Sequence, residues 1–223
     1  GLVATLTERL LADPRTRELL PVGSGRYDGA WFERLRAQPQ VGFVVPRTRQ
    51  IAATAELRAV AGTAGSAAAS AGTLADAAPG GNALEPASAA PAPGARPASG
   101  AGRPLTVELI PSAPGDALLA RYALAAPAGT QVVLSQPAAE KLGLAVGARI
   151  EAVIVRTRAG REEAARVRMQ VGGIAPLAAF DRDGAFVALD LLEAAEDWRD
   201  GFGVPRLDWP GEARPGKGRV YPG

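Results

Sequence analysis

Cysteine and histidine are both missing from the 223 residues. Disulfides, thiolate nucleophiles and Cys/His zinc sites are therefore excluded, as are the Ser-His-Asp and Cys-His catalytic arrangements. The lack of cysteine is compatible with an oxidising compartment without fixing one. Aromatic residues make up only 5 % of the chain. The core must then come from Leu, Val and Ile, and the 47 % apolar share overstates it because alanine supplies much of that figure. A large excess of one charge is absent too. The chain has 25 basic and 23 acidic residues, a net of +2, too small for a strong general pull on nucleic acid or anionic lipid. No apolar run is long enough to read as a membrane-spanning helix. Residues 1–13 have neither a basic n-region nor an apolar h-region, so they do not read as a signal peptide. The chain opens on Gly rather than Met and reads as a piece of a longer protein.

What is present is a succession of short elements. Leu2, Leu6, Leu10 and Leu11 fall at helical spacing and predict a helix over residues 1–12, ended by Asp13-Pro14. Residues 17–22 read as a short strand. Asp28 is a candidate N-cap for a helix to Gln38, with Phe32 and Leu35 facing inward. "VGFVV" (41–45) reads as a strand, and residues 47–60 as another after the break at Pro46. About four-fifths of residues 61–103 are Ala, Gly, Ser or Pro. That composition cannot bury enough surface to offset ordering entropy, so the segment is expected to be a disordered low-complexity insertion.

Strands are predicted again at 105–111 and at 117–124, with a helix as the alternative for the latter. "VVLSQPAAEKLGLAVGARIEAVIV" (132–155) contains a strand, a helix over 136–142 and the start of the next strand. Ser135 caps that helix, Gly143 follows its end and Gly147 makes a turn. Residues 149–157 and 161–171 form a hairpin around Ala159-Gly160, and Gly172-Gly173 breaks its second strand. "AFVAL" (185–189) is a strand, and Asp190 caps a helix to Asp200. Residues 201–223 lack periodicity, although Val220 and Tyr221 could begin a strand. The sum is an α+β fold of short, mixed, mostly antiparallel strands with short helices. Residues 1–60 and 104–200 are two halves of one domain, separated by the insertion 61–103 and followed by an irregular tail, 201–223, that leads to a missing C-terminal portion.

No stretch presents a convincing chemical site. "GSGRYDG" (23–29) fits neither the Walker A pattern nor GxGxxG and reads as a loop. Arg47 and Arg49 would share one strand face and could clamp an anion or contact a partner, joined by Arg58 and Arg121; the competing reading is a solvated face. From Asp181, "DRDG" and Asp190 fail the calcium-loop spacing and read as a turn. The carboxylates of residues 193–200 read as the solvated face of a helix. Trp31, Trp198 and Trp209 read as packing residues. No catalytic residue, cofactor site or metal site is expected.

The stretch 132–155, the later "V.G" at Val171-Gly172-Gly173 and "AFVALDLLEAAEDW" (185–198) together resemble the extracytoplasmic core of MacB/FtsX-type ABC transporter permeases. "WFERLRAQPQVGFVVPRTR" (31–49) is similar to the first part of that core. The resemblance implies a periplasmic, non-catalytic domain on an inner-membrane permease subunit. In that family the domain transmits conformational change and contacts substrate or periplasmic partners, the parent is a homodimer, and a separate cytoplasmic ATPase subunit or domain hydrolyses ATP. It makes Ser135, Leu142, Gly143, Leu144 and Gly147 architectural. "LGLAVGARIEAVIV" (142–155) also resembles the swapped-hairpin and double-psi barrel elements of AbrB-like transcription factors and AAA-ATPase N-domains. That alternative implies a small barrel that binds nucleic acid or a partner. Glu151, Glu162 and Glu163 interrupt the arginines of the hairpin, and no nucleic-acid partner is expected.

Overall fold

The computed structural model describes residues 26–46, 53–60, 103–216 and 219–222. The elements are β1 (Arg26–Asp28), α1 (Gly29–Arg36), β2 (Ala53–Ala59), β3 (Leu105–Ser112), α2 (Ala117–Arg121), β4 (Gln131–Ser135), α3 (Gln136–Leu142), β5 (Arg149–Arg158), β6 (Arg161–Ala175), β7 (Gly184–Ala188), α4 (Leu189–Arg199), a 3-10 turn (Pro205–Leu207) and β8 (Val220–Pro222). The fold is α+β, with mixed and mostly antiparallel strands.

Six strands close into a barrel in the order β2-β3-β7-β4-β6-β5. β3 pairs with β7 and β4 with β6 in parallel, while the other pairings are antiparallel. The barrel comprises two like halves, β2-β3-β4-α3 and β5-β6-β7-α4. Exchanging the halves strand for strand returns the same ring with the same parallel and antiparallel neighbours. Closure leaves none of these six strands as a free edge.

Period-2 alternation builds the interior. Ala53, Ala55 and Leu57 of β2, Ile150, Ala152 and Ile154 of β5, and Ala165, Val167 and Met169 of β6 point inward. Small alanines sit among the larger chains, which suits a narrow closed barrel. Each fully buried Leu, Ile or Val contributes about 1.5–3 kcal/mol. β4 and β7 lie side by side and are buried on both faces. A second cluster covers their outer face: Leu119 of α2 and Ala179 pack on Val133 and Phe186. α3 and α4 pack into the main cluster through Ala138, Ala139 and Leu142, and through Leu191, Leu192, Ala195 and Trp198.

Several local expectations change. Residues 117–124 are not a strand: Ala117–Arg121 is helical because Asp116 accepts from the amides of Leu118 and Leu119. Residues 41–46 carry no ladder; Val41 N donates to Gln38 O in a turn. β6 is not broken at Gly172-Gly173 but runs through them. Its register with β4 shifts between Val132 and Val133, leaving Gly172 as the extra residue of a bulge. Asp190 is not the cap of α4. The cap position is Ala188, and Asp190 lies in the first turn, where its charge suits the helix dipole. α1 ends at Arg36, two residues early. Beyond α4, regular structure is sparse, yet Val204 and Trp209 are buried in the main cluster. The expected helix 1–12, the strand 17–22 and all of the insertion except Arg103 lie outside the described residues.

Candidate functional site

The motif singled out in the sequence is a compact strand–helix–turn unit. Ser135 is fully buried at the end of β4. Its Oγ accepts from Ala138 N at 3.3 Å, capping α3, and from Gly184 N at 3.0 Å, tying β7 to the same point. Leu142 is buried in the core, and Leu144 packs against it half-buried. Gly143 ends α3 at φ 63°, and Gly147 turns the chain at φ 88°, left-handed positions that a side chain would strain. Gly147 N donates to Val171 O at 2.7 Å, fastening the turn to β6. Ser135 thus ties the two halves together and Gly147 fastens the turn to β6, while Leu142, Gly143 and Leu144 pack and end α3.

Arg47 and Arg49 lie outside the described residues. Arg58, offered as their neighbour, is on the outer face of β2 and pairs with Glu56 at 3.3 Å. Arg121, the other, lies on α2 with its guanidinium 6.0 Å from the Tyr122 ring centroid. Among the described residues no group of acidic side chains could hold a metal ion.

The densest polar arrangement is one that the sequence reading missed. Glu193, Glu196 and Asp197 occupy one face of α4 at i, i+3 and i+4. They are not a solvated face: Glu196 is only 2 % exposed. Arg219, just before β8, reaches across them. Its guanidinium pairs with Glu196 Oε2 at 3.1 Å and with Asp197 Oδ1, donates to the Glu193 carbonyl at 2.8 Å, and lies 3.8 Å from the Glu193 carboxylate. Tyr221 OH donates to Glu193 Oε1. Arg214 holds Asp197 from its other side at 2.6 Å. Burial, followed by the bond to Glu193 and its charge, pushes the Tyr221 phenol well up; Arg219 and Arg214 pull the other way. A hollow beside β8 is lined by Asp28, Gly29, Arg219 and Tyr221. Its charged groups are engaged, Asp28 in capping α1 and Arg219 on α4.

A second buried cation is Arg156. Its guanidinium carbon lies 4.1 Å from the Trp198 ring centroid. It pairs with Glu163 and donates to the carbonyls of Trp198 and Pro210. Trp209 stacks edge-on at 6.2 Å from Trp198 and donates to Arg166 O at 2.9 Å. Arg156 thus pins the β5–β6 hairpin to the end of α4 and to the segment beyond it.

The outer face of the barrel carries mixed charge. Arg58, Glu151 and Arg168 are lateral neighbours across β2, β5 and β6. The next rung holds Glu56, Val153 and Arg166, with Arg166 paired to Glu151 at 3.1 Å. Opposite charges adjoin across the first rung and along β2, while Arg166 and Arg168 follow one another on β6; the interspersed glutamates weaken the long-range field of this face.

β1 and β8 pair with each other, antiparallel and apart from the barrel, with Tyr27 opposite Tyr221. The first and last described strands therefore lie side by side. No protein-family model and no curated protein matches the chain.

Proposed function

We propose that this domain is the non-catalytic periplasmic part of a MacB/FtsX-type ABC transporter permease subunit, transmitting conformational change and contacting substrate or a periplasmic partner. The observation that carries the reading is the β1–β8 pairing. A domain strung between two membrane-anchored segments is well served by strands that bring its two ends near each other, as the β1–β8 pairing does. The likeness of residues 132–198 to the permease core supports it. So does the architectural use of Ser135, Gly143 and Gly147, whose polar groups and backbone serve a helix cap, a strand-to-strand bond and two left-handed turns. On this reading the parent is homodimeric and works with a cytoplasmic ATPase.

The test is extraction of the intact parent from membranes in mild detergent and affinity capture. Membrane residence with a co-purifying ATPase subunit, or ATPase activity in the parent chain, is the expected result. A parent that stays in the soluble fraction with neither would overturn the reading.

The closed six-stranded ring favours a second reading, the small-barrel recognition module of AbrB-like and AAA N-domain proteins. The glutamates interspersed among the arginines of the outer face tilt that reading toward a protein partner rather than nucleic acid. Duplex-DNA binding that weakens steeply with salt would favour a nucleic-acid module instead.

A further inference from the structure

We propose that β1, α1 and β8 form a latch, a small layer that docks on α4 through Arg219 and Tyr221 and opens as a unit while the barrel stays folded. The proposal is independent of the transport reading, because it concerns how two parts of this chain are joined.

The barrel closes without the layer, and β1 and β8 form a sheet of their own. The layer has its own apolar packing. Tyr27 lies 4.2 Å from Trp31 between ring centroids, Trp31 meets Phe32 at 5.0 Å, and Phe32 meets Tyr221 edge-on at 5.1 Å. Phe32 and Tyr221 are buried, yet neither belongs to the two apolar clusters of the barrel. Among the described residues, the bonds that join the layer to α4 are polar. Arg219 spans the carboxylates of Glu196 and Asp197 and the Glu193 carbonyl, and Tyr221 bonds Glu193.

A joint of this kind has a particular energetic character. Ion pairs in low dielectric demand their geometry, but after desolvation they contribute little net stability. The layer is therefore held in one position without being part of the cooperative apolar core. Segments joined in this way open at lower free energy than the whole domain. Candidate hinges are in place. On the first side, Ala37 and Gln38 leave α1 in a turn, and Phe43 beyond it lies beside Gly115 of the β3–α2 loop, where an added Cβ would meet its ring at 3.8 Å. On the second side, Gly216 has open space around it.

Amide hydrogen exchange on the full chain tests this, comparing wild type with Arg219→Met and Tyr221→Phe. In Arg219→Met the amides of residues 27–36 and of Tyr221 should exchange at least about tenfold faster, since several charge-assisted bonds are lost. The amides of the β5–β6 hairpin should stay within about twofold of wild type. Tyr221→Phe keeps the guanidinium and should give a smaller acceleration confined to the same residues. The same substitution at the exposed barrel pair, Arg166→Met, should leave the layer unchanged. If Arg219→Met speeds layer and barrel alike, or fails to fold, the two are one cooperative unit and the latch is refuted. If neither variant changes exchange in the layer, the clamp does not hold it and the proposal also falls.

Discussion

Two arginines of the same hairpin show how far position decides what a charge is worth. The Arg156 side chain is 4 % exposed and holds Glu163 and two carbonyls beneath the Trp198 ring. Removing it strips the Trp198 and Pro210 carbonyls of a donor beneath the ring, whereas Glu163, 41 % exposed, can turn to water. Arg156→Ala should therefore cost about 2–3 kcal/mol in chemical denaturation, from the carbonyls that lose a donor and the lost contact with the Trp198 ring. Arg166 is 61 % exposed and paired with Glu151. Arg166→Ala should cost less than about 1 kcal/mol. Equal losses in the two variants would mean that burial is not what separates them. The distinction was within reach of the sequence. Ile150, Ala152 and Ile154 set the inward parity of β5, and Arg156 continues it; Glu163, its partner in register, continues the parity of Ala165, Val167 and Met169. Reading the arginines as one interspersed set concealed that. Arg219 gave no such clue, because its partners lie more than twenty residues away on another element.

Among the elements, α3 is the one whose chemistry was clearest in the sequence, because caps and glycines act locally. Ser135 before it, Pro137 within its first turn and Gly143 after it all occupy their predicted roles. What remained out of sight was the second use of Ser135, as acceptor for Gly184 N from the other half of the barrel. Ser135→Ala loses the cap, worth about 1 kcal/mol, and also leaves a buried amide unpaired at a cost of about 1–3 kcal/mol. Thermal denaturation should show a loss larger than the cap alone explains; a loss under about 1 kcal/mol would show that Gly184 N finds another acceptor. The misread elements failed for physical reasons. In 117–124 the cap at Asp116, steadied by a 2.7 Å bond from Ser112 Oγ, outweighed the apolar run that suggested a strand. In 41–45 the apolar run is at most half-buried and pairs with no strand among the described residues. At Gly172-Gly173 a glycine pair ended no strand but made the bulge that lets β6 follow β4 round the barrel. Gly173 also leaves room for Leu124, whose Cδ2 would lie 3.0 Å from an added Cβ.

For the whole molecule, short strands among short helices placed the fold class within reach, whereas closure entered only through the alternative resemblance of residues 142–155 to small-barrel elements. Ring closure depends on pairings between strands far apart in the chain, such as β2 with β5, and no local pattern encodes those. The pairing of β2 with β3 bears on the low-complexity insertion between them. Leu57 lies opposite Leu105, so the chain leaves and re-enters the barrel at adjoining strand ends. A short loop can join those ends, and long loops add little closure entropy as they lengthen. Deleting residues 65–100 should leave the melting temperature within a few degrees, as differential scanning calorimetry would show. A large drop would mean that the segment packs on the barrel. The other junction, β1 against β8, has a use beyond this protein. Paired strands place their backbones about 5 Å apart, close to the spacing across the base of a β-hairpin turn. A cassette that starts on β1 and ends on β8 follows from this pairing. It could replace the tip of a hairpin in an unrelated host without prising the host's strands apart, with Arg219 as the built-in control over whether the two bodies move together.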